Sequence, residues 1–114
     1  MAVRYDAITP AQLTASAATY VTAGASEKVR ILSLVVCNDN TVAETVTVHV
    51  IPTGATETAL NKVLDAFALA AGESVDLIGI IGVQTLLATG TIRAFASTAT
   101  QVSIGGSLQR ITGA

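Results

Sequence analysis

Tryptophan is absent from the sequence, and tyrosine and phenylalanine occur only twice each. The chain therefore has few flat rings on which bases or sugars can stack. A single cysteine, Cys37, excludes a disulfide within the sequence, and a single histidine, His49, excludes a pair of histidines on one metal. Charge is scarce as well. Only 12% of the residues are charged, against roughly 25% in ordinary soluble domains. The six basic residues are dispersed apart from Lys28 and Arg30, and the net charge is −2. No basic tract is present to neutralise a run of phosphates, so nucleic acid is not expected as a direct partner. The start, Met1-Ala2-Val3-Arg4-Tyr5-Asp6, lacks a basic region followed by an apolar core, so no secretory signal is expected. The weakly charged tract between Asp76 and Arg93 is interrupted by Gly79, Gly82, Gln84 and Gly90. It is too short and broken for a membrane helix, and no membrane partner is expected.

What the chain does contain is apolar bulk. With 51% apolar residues in 114 positions, general disorder is excluded, and the length suits one compact core but not two. Since charges are few, Thr, Ser, Ala and Gly must supply much of the polar surface. Such a surface loses little hydration when another protein covers it, which favours assembly.

Residues 1–18 form a weakly patterned leader that contains Pro10 and the small run Ala15-Ser16-Ala17-Ala18, and they read as an N-terminal arm. Residues 19–114 carry the domain. Its first strand lies near Thr19-Tyr20-Val21, and Gly24-Ala25-Ser26 marks a turn. The strongest strand signal is 28–38, with Leu32, Leu34 and Val36 on one face and Val35 and Cys37 on the other. A strand apolar on both faces needs cover on both, and an opposing sheet supplies only one. A loop, the arm or a neighbouring subunit must supply the other.

Residues 45–50 alternate, which turns Val46, Val48 and Val50 toward a core and Thr45, Thr47 and His49 outward. Pro52-Thr53-Gly54 ends that strand, and 53–62 reads as a surface loop or one short helix. A strand over 63–69 would place Val63, Asp65, Phe67 and Leu69 on one side. Short strands follow at 74–77 and 84–87. Over 91–97, Ile92, Ala94 and Ala96 share one face, and Thr91, Arg93, Phe95 and Ser97 the other. The last strand starts near Gln101, with Gly105-Gly106 suited to a bulge before Leu108. About eight short strands with turn signals and no long amphipathic helix predict an all-β fold, a small jelly-roll-like β-sandwich.

No catalytic constellation emerges. His49 has no cysteine or histidine at ligand spacing, and Asn38-Asp39-Asn40 lacks the twelve-residue calcium-loop pattern. Asp39, Glu44, Glu73 and Asp76 read as turn caps. The glycines lack a phosphate-loop lysine and dinucleotide spacing. No catalytic, metal or cofactor-binding residue is assigned, and no cofactor is expected. Cys37 reads as a small buried hydrophobe. The candidate protein-interface residues are Val35, Cys37, Arg93 and Phe95. An aromatic anchor beside a guanidinium can bury against a partner. The alternative for Phe95 is packing within its own domain.

The segments Tyr20-Val21-Thr22-Ala23, Val29-Arg30-Ile31-Leu32 with Ser33-Leu34-Val35-Val36-Cys37-Asn38, and Thr45-Val46-Thr47-Val48-His49-Val50-Ile51-Pro52 carry a resemblance. So do Leu69-Ala70-Ala71-Gly72-Glu73-Ser74-Val75-Asp76, Gly90-Thr91-Ile92-Arg93-Ala94-Phe95-Ala96-Ser97 and Val102-Ser103-Ile104-Gly105-Gly106. Together they resemble small β-sandwich structural proteins of tailed bacteriophages and prophages. The resemblance implies a non-enzymatic virion component that decorates a head, forms the base of a head fibre or joins the tail. A capsid-associated decoration role follows as the leading expectation. A tail or host-surface carbohydrate-recognition module is the alternative, weakened by the missing Trp. The implied location is the virion, after synthesis in the host cytoplasm. The implied partners are further copies, as a ring or trimer, and virion proteins such as the major capsid protein.

Overall fold

The computed structural model describes residues 2–113. Nine strands run in the order β1 (Ala2–Gln12), β2 (Ala18–Thr22), β3 (Glu27–Asn38), β4 (Glu44–Ile51), β5 (Lys62–Leu69), β6 (Ser74–Asp76), β7 (Gln84–Leu86), β8 (Thr91–Ala96) and β9 (Val102–Thr112). A 3-10 turn, Ala59–Asn61, precedes β5, and one helical turn, α1 (Ile78–Ile81), separates β6 from β7. Every strand pair is antiparallel. One sheet has the order β1-β9-β3-β6, with β7 also on β3, and the other has the order β2-β8-β4-β5. The result is an all-β, jelly-roll-like sandwich.

Period-two patterning builds the core. On β8, Ile92, Ala94 and Ala96 are buried while Thr91, Arg93 and Phe95 are half-buried on the other face, as the alternation predicts. Val46 and Val48 of β4 meet Val29, Ile31, Leu34 and Val36 of β3, and Ile104 and Leu108 of β9, in one apolar cluster.

Two bulges shift faces that simple alternation assigns. The β3–β9 register slips between Ile31 and Ser33, so Val29 and Ile31 point inward before the slip and Leu34 and Val36 after it. Leu32, expected on one face with Leu34 and Val36, is the extra residue at that slip and is only half-buried. The bulge falls beside the Gly105-Gly106 pair, but the inserted residue lies on β3. In β5 the register slips opposite Val46–Val48, where Ala66 has φ +46° and its N–H bonds the Thr47 hydroxyl at 3.0 Å. Leu64 and Phe67 therefore pack on the core, while Val63 and Asp65, expected on one side with Phe67 and Leu69, are exposed.

The leader is more ordered than its patterning suggests. Residues 2–12 pair along β9 as an edge strand, and Ile8 and Leu13 are buried in the core. Met1 lies outside the described residues. The β1 register slips between Ile8 and Ala11. Pro10, which has no N–H to give a ladder, sits in that irregularity.

Candidate interaction surfaces

The four candidate residues do not form one site. Val35 and Cys37 lie on the outer face of β3 in one sheet, and Arg93 and Phe95 on the outer face of β8 in the other.

On the first face Val35 is exposed and stands opposite Gly105 and Asp76, while half-buried Cys37 stands opposite Ser103 and Ser74. Ser33 and Ser107 pair beside them, with hydroxyl oxygens 3.0 Å apart. Around Val35 the neighbours are small apart from Asp76, while the far end of the face carries exposed Tyr5, Lys28 and Arg30. The Cys37 thiol points at Asp39 Oδ1, 3.6 Å away, and is not the fully buried hydrophobe its apolar run suggests.

On the second face Arg93 is tethered. Its Nη2 donates to the Ala17 carbonyl at 2.9 Å, and its Nε lies 3.6 Å from Glu57 Oε1. Phe95 stands opposite Thr47 and is half-buried without joining the core cluster. Alternation places Thr47 and His49 on this outward face, yet both are only 4% exposed. The connection from Pro52 to Asn61 supplies cover for His49. Asn61 Oδ1 is 2.9 Å from His49 Nδ1 and accepts the Thr58 N–H at 3.1 Å, while Asn61 Nδ2 donates to the Thr56 carbonyl at 2.8 Å. His49 is thus a buried anchor for the connection, not the surface histidine expected. Periodicity names the face a side chain takes but not what later folds over it.

The acidic residues flagged in the sequence hold turns and strand ends. Asp76 Oδ1 accepts the Leu34 and Ile78 N–H groups, and Glu73 Oε1 accepts the Ala70 N–H. Glu44 is buried and accepts from the Ser97 hydroxyl at 2.7 Å and Asn40 Nδ2 at 2.9 Å, which holds its carboxyl below the usual range, the Ser97 bond most of all. Glu27 is also held low, first by the Gly24 N–H and also by Arg110 at 2.6 Å. Asn38, fully buried, donates to the carbonyls of Val42, Leu69 and Ala70 and ties three segments together. Among the described residues, no group of three or more His, Cys, Asp or Glu could hold a metal ion. No described helix is long and apolar enough to cross a membrane.

A third surface has no counterpart among the sequence candidates. Between β5 and β7, on the side where neither has a further strand partner, lies a groove of about 530 Å³. Val50, Pro52, Leu60, Val63, Leu86 and Leu87 supply its apolar lining. Leu60, on the 3-10 turn, is 98% exposed at its rim. The available signal was an apolar residue inside a polar loop, which is weak by itself.

No protein-family model and no curated protein matches this sequence. Solved structures share its fold. A chain of the Bacillus endospore appendages, described as a family of disulfide-linked pili, superposes with a TM-score of 0.58 at 18% identity, covering 96% of this chain and 88% of that one. A chain from the structure of infectious bursal disease virus, Gx strain, gives a TM-score of 0.50 at 14% identity. That match covers 99% of this chain and 34% of the virus chain, so the present domain spans about a third of that longer protein. At such identities the likeness is one of fold.

Proposed function

We propose that this chain is a non-enzymatic structural subunit of a virion, capsid-associated, that decorates or stabilises the shell through protein–protein contacts. One observation carries the reading. The outer face of the β1-β9-β3-β6 sheet presents Val35 and half-buried Cys37 beside Ser33, Ser103, Ser107 and Gly105, with Asp76 opposite Val35 and Lys28 and Arg30 at the other end of β3. A partner that covers the Val35 end removes a valine from water and can answer Asp76 with a basic group, while Lys28 and Arg30 stay at the rim. Arg93 and Phe95 give a second contact on the opposite side of the sandwich, so one subunit can touch neighbours in two directions. That is the requirement for a ring, a trimer or a shell-bound layer, with other copies and the major capsid protein as partners. The synthesis site in this reading is the host cytoplasm.

The likeness to an appendage chain and to a virus chain supports a building-block role and leaves the choice between filament and shell to chemistry. Disulfide-linked pili are described for the appendage protein. Here the single Cys37 can join two copies but cannot link a third, so a filament held by disulfides alone does not suit this sequence.

Imaging of labelled protein on intact tailed-phage particles tests the proposal. Label distributed over the head supports it. Label confined to the tail tip favours host-surface recognition, and no label on particles overturns a virion role.

A further inference from the structure

We propose that the outer face of the β1-β9-β3-β6 sheet pairs with the same face of a second copy, strands antiparallel, about a twofold axis at Ser33 and Ser107. This rests on the reading that the Val35 face is an assembly surface, and it names what covers that face.

The fold leaves some charges over and sorts them by sign. Four of the six basic residues meet a carboxylate within the chain: Arg4 with Asp6, Lys62 with Asp65, Arg93 with Glu57, and Arg110 with Asp6 and Glu27. Among the described residues no carboxylate comes within ion-pair distance of Lys28 or Arg30. Both are exposed near the start of β3. The carboxylates that meet no cation among the described residues are Asp39, Glu44, Glu73 and Asp76. They gather round the other end of β3. Asp39 follows its last residue, the Glu73 carbonyl accepts the Asn38 N–H at 2.9 Å, and Asp76 stands opposite Val35. Glu44 is buried and answered by Ser97 and Asn40, whereas Asp39, Glu73 and Asp76 are exposed. The surplus is positive at one end of the face and negative at the other.

Alternate residues of β9 act as a ruler along this face. Ile111, Gln109, Ser107, Gly105 and Ser103 stand opposite Lys28, Arg30, Ser33, Val35 and Cys37 in turn. These rungs are evenly spaced about Ser107. A half-turn about an axis lying across the strands at that rung lays Arg30 over the Val35 rung, beside Asp76. It also lays Lys28 over the Cys37 rung, beside Asp39. The symmetry makes each of these encounters twice.

Size inverts along with charge. Tyr5, Gln109 and Arg30 form one rung of long side chains. The rung that meets it holds Gly105, which has nothing within 4 Å of its Cβ position and so leaves room for Gln109. The apolar stem of Arg30 can lie on Val35 while its guanidinium stays at Asp76. Ser33 and Ser107, on the axis, are small enough for the faces to approach. An unrelated acidic partner would answer Lys28 and Arg30 but leave Asp39 and Asp76 unanswered, and a basic one the reverse. A second copy brings both signs at the required spacing.

Single cysteines on β9 in a Cys37→Ser background, with a short bis-maleimide, locate the axis. Ser107→Cys should join to itself between copies. Ser103→Cys should not, because it lies four residues from the axis and its two copies stand about 27 Å apart. It should instead join Ile111→Cys when the two variants are mixed. In analytical ultracentrifugation the association of the unmodified chain should weaken with added salt, and on the order of 10-fold with Arg30→Glu. The fold of Arg30→Glu should survive, since no ion pair within the chain is lost. Failure of Ser107→Cys to crosslink, or unchanged association of Arg30→Glu, overturns the pairing. If Val35→Ser still weakens association in that event, the face remains an assembly surface and only this arrangement fails. If the unmodified chain stays monomeric to high micromolar concentration, the pairing fails, while label on intact phage heads would still support the virion role.

Discussion

Two adjacent glycines should respond oppositely to the same substitution. Gly106 has φ +146°, and a Cβ built on it lies 2.1 Å from the Ser33 carbonyl oxygen and 2.8 Å from its carbon. Both are backbone atoms of β3, so no side-chain rotation can relieve the clash. Gly106→Ala therefore requires β3 and β9 to separate at the bulge around Leu32, where they form a long antiparallel ladder. Sparsely populated backbone conformations cost about 1–3 kcal/mol, and forcing atoms into packed space costs about 1–3 kcal/mol more. The expected loss of about 2–6 kcal/mol is large beside a total stability of about 5–15 kcal/mol. At about 4 °C per kcal/mol for a domain of this size, the Tm should fall by roughly 8–24 °C. Gly105 has open space at its Cβ position and no positive φ. Gly105→Ala should leave the Tm within a few degrees, since restricting the unfolded chain adds at most about 1 kcal/mol. Thermal unfolding followed by far-ultraviolet circular dichroism reads both. Similar shifts for the two variants would refute the assignment of Gly106 as the obligatory glycine.

Asn38→Ala removes the donor shared by Val42, Leu69 and Ala70, and should cost about 1–3 kcal/mol. It should appear as a lower denaturant midpoint at unchanged slope, and a slope change would mean that the native ensemble had altered instead. The carboxyls of Glu27 and Glu44 titrate lower in the fold than in the unfolded chain. Their stabilisation is therefore complete above the unfolded value of about 4.3 and is lost as pH falls through the lower folded values. The Tm should hold from neutral pH to about 5 and drop below about 4, a drop that Glu44→Gln should lessen; a flat profile would contradict it. Phe95→Ser should keep the β-sheet spectrum, because Phe95 lies outside the core cluster, while lowering the mass seen by light scattering. Unchanged assembly would remove Phe95 from the interface.

Eight strands, β2 to β9, are legible from alternation and turn residues, because each buries one face against the opposite sheet. β1 is not. Asp6 and Arg4 pair across from Leu108 and Arg110, so much of its inner side is charged and its strand state comes from backbone pairing with β9. Hydrophobic period reports burial, and a strand that buries only Ile8 gives almost no signal. The phase slip in β5 has a similar origin. Ala66 adopts a positive φ with no glycine to announce it. For the surfaces, the outward placement of Val35, Arg93 and Phe95 follows from pattern alone. The burial of His49 and the groove at Leu60 do not, since both depend on a connection that folds back over β4.

The unpaired sheet edges limit the ways in which a second chain can add to the sandwich. An open edge invites addition of a further strand unless something blunts it. The edge of β1 is interrupted at Pro10, and Arg4 and Asp6 stand on its inner side, where Asp6 reaches Arg110 at 3.5 Å. An added strand would have to cover those charges. The edge of β5 is kinked at Ala66, and Lys62 and Asp65 lie along it 3.4 Å apart. On the remaining side of the first sheet, β6 and β7 are three residues each and are separated by α1. The other edge of the second sheet, β2, is five residues long and slips register between Thr19 and Val21, so each edge has a feature known to oppose edge-to-edge growth. The outer faces keep their backbone groups paired and present side chains instead: Val35 is 38% exposed with Gly105 and Asp76 opposite it, and Arg93 and Phe95 are half-buried on the other sheet. In the proposed assembly, contacts between copies therefore fall on side chains at faces rather than on backbone at edges. The rotation between copies then decides between a closed ring and an open array.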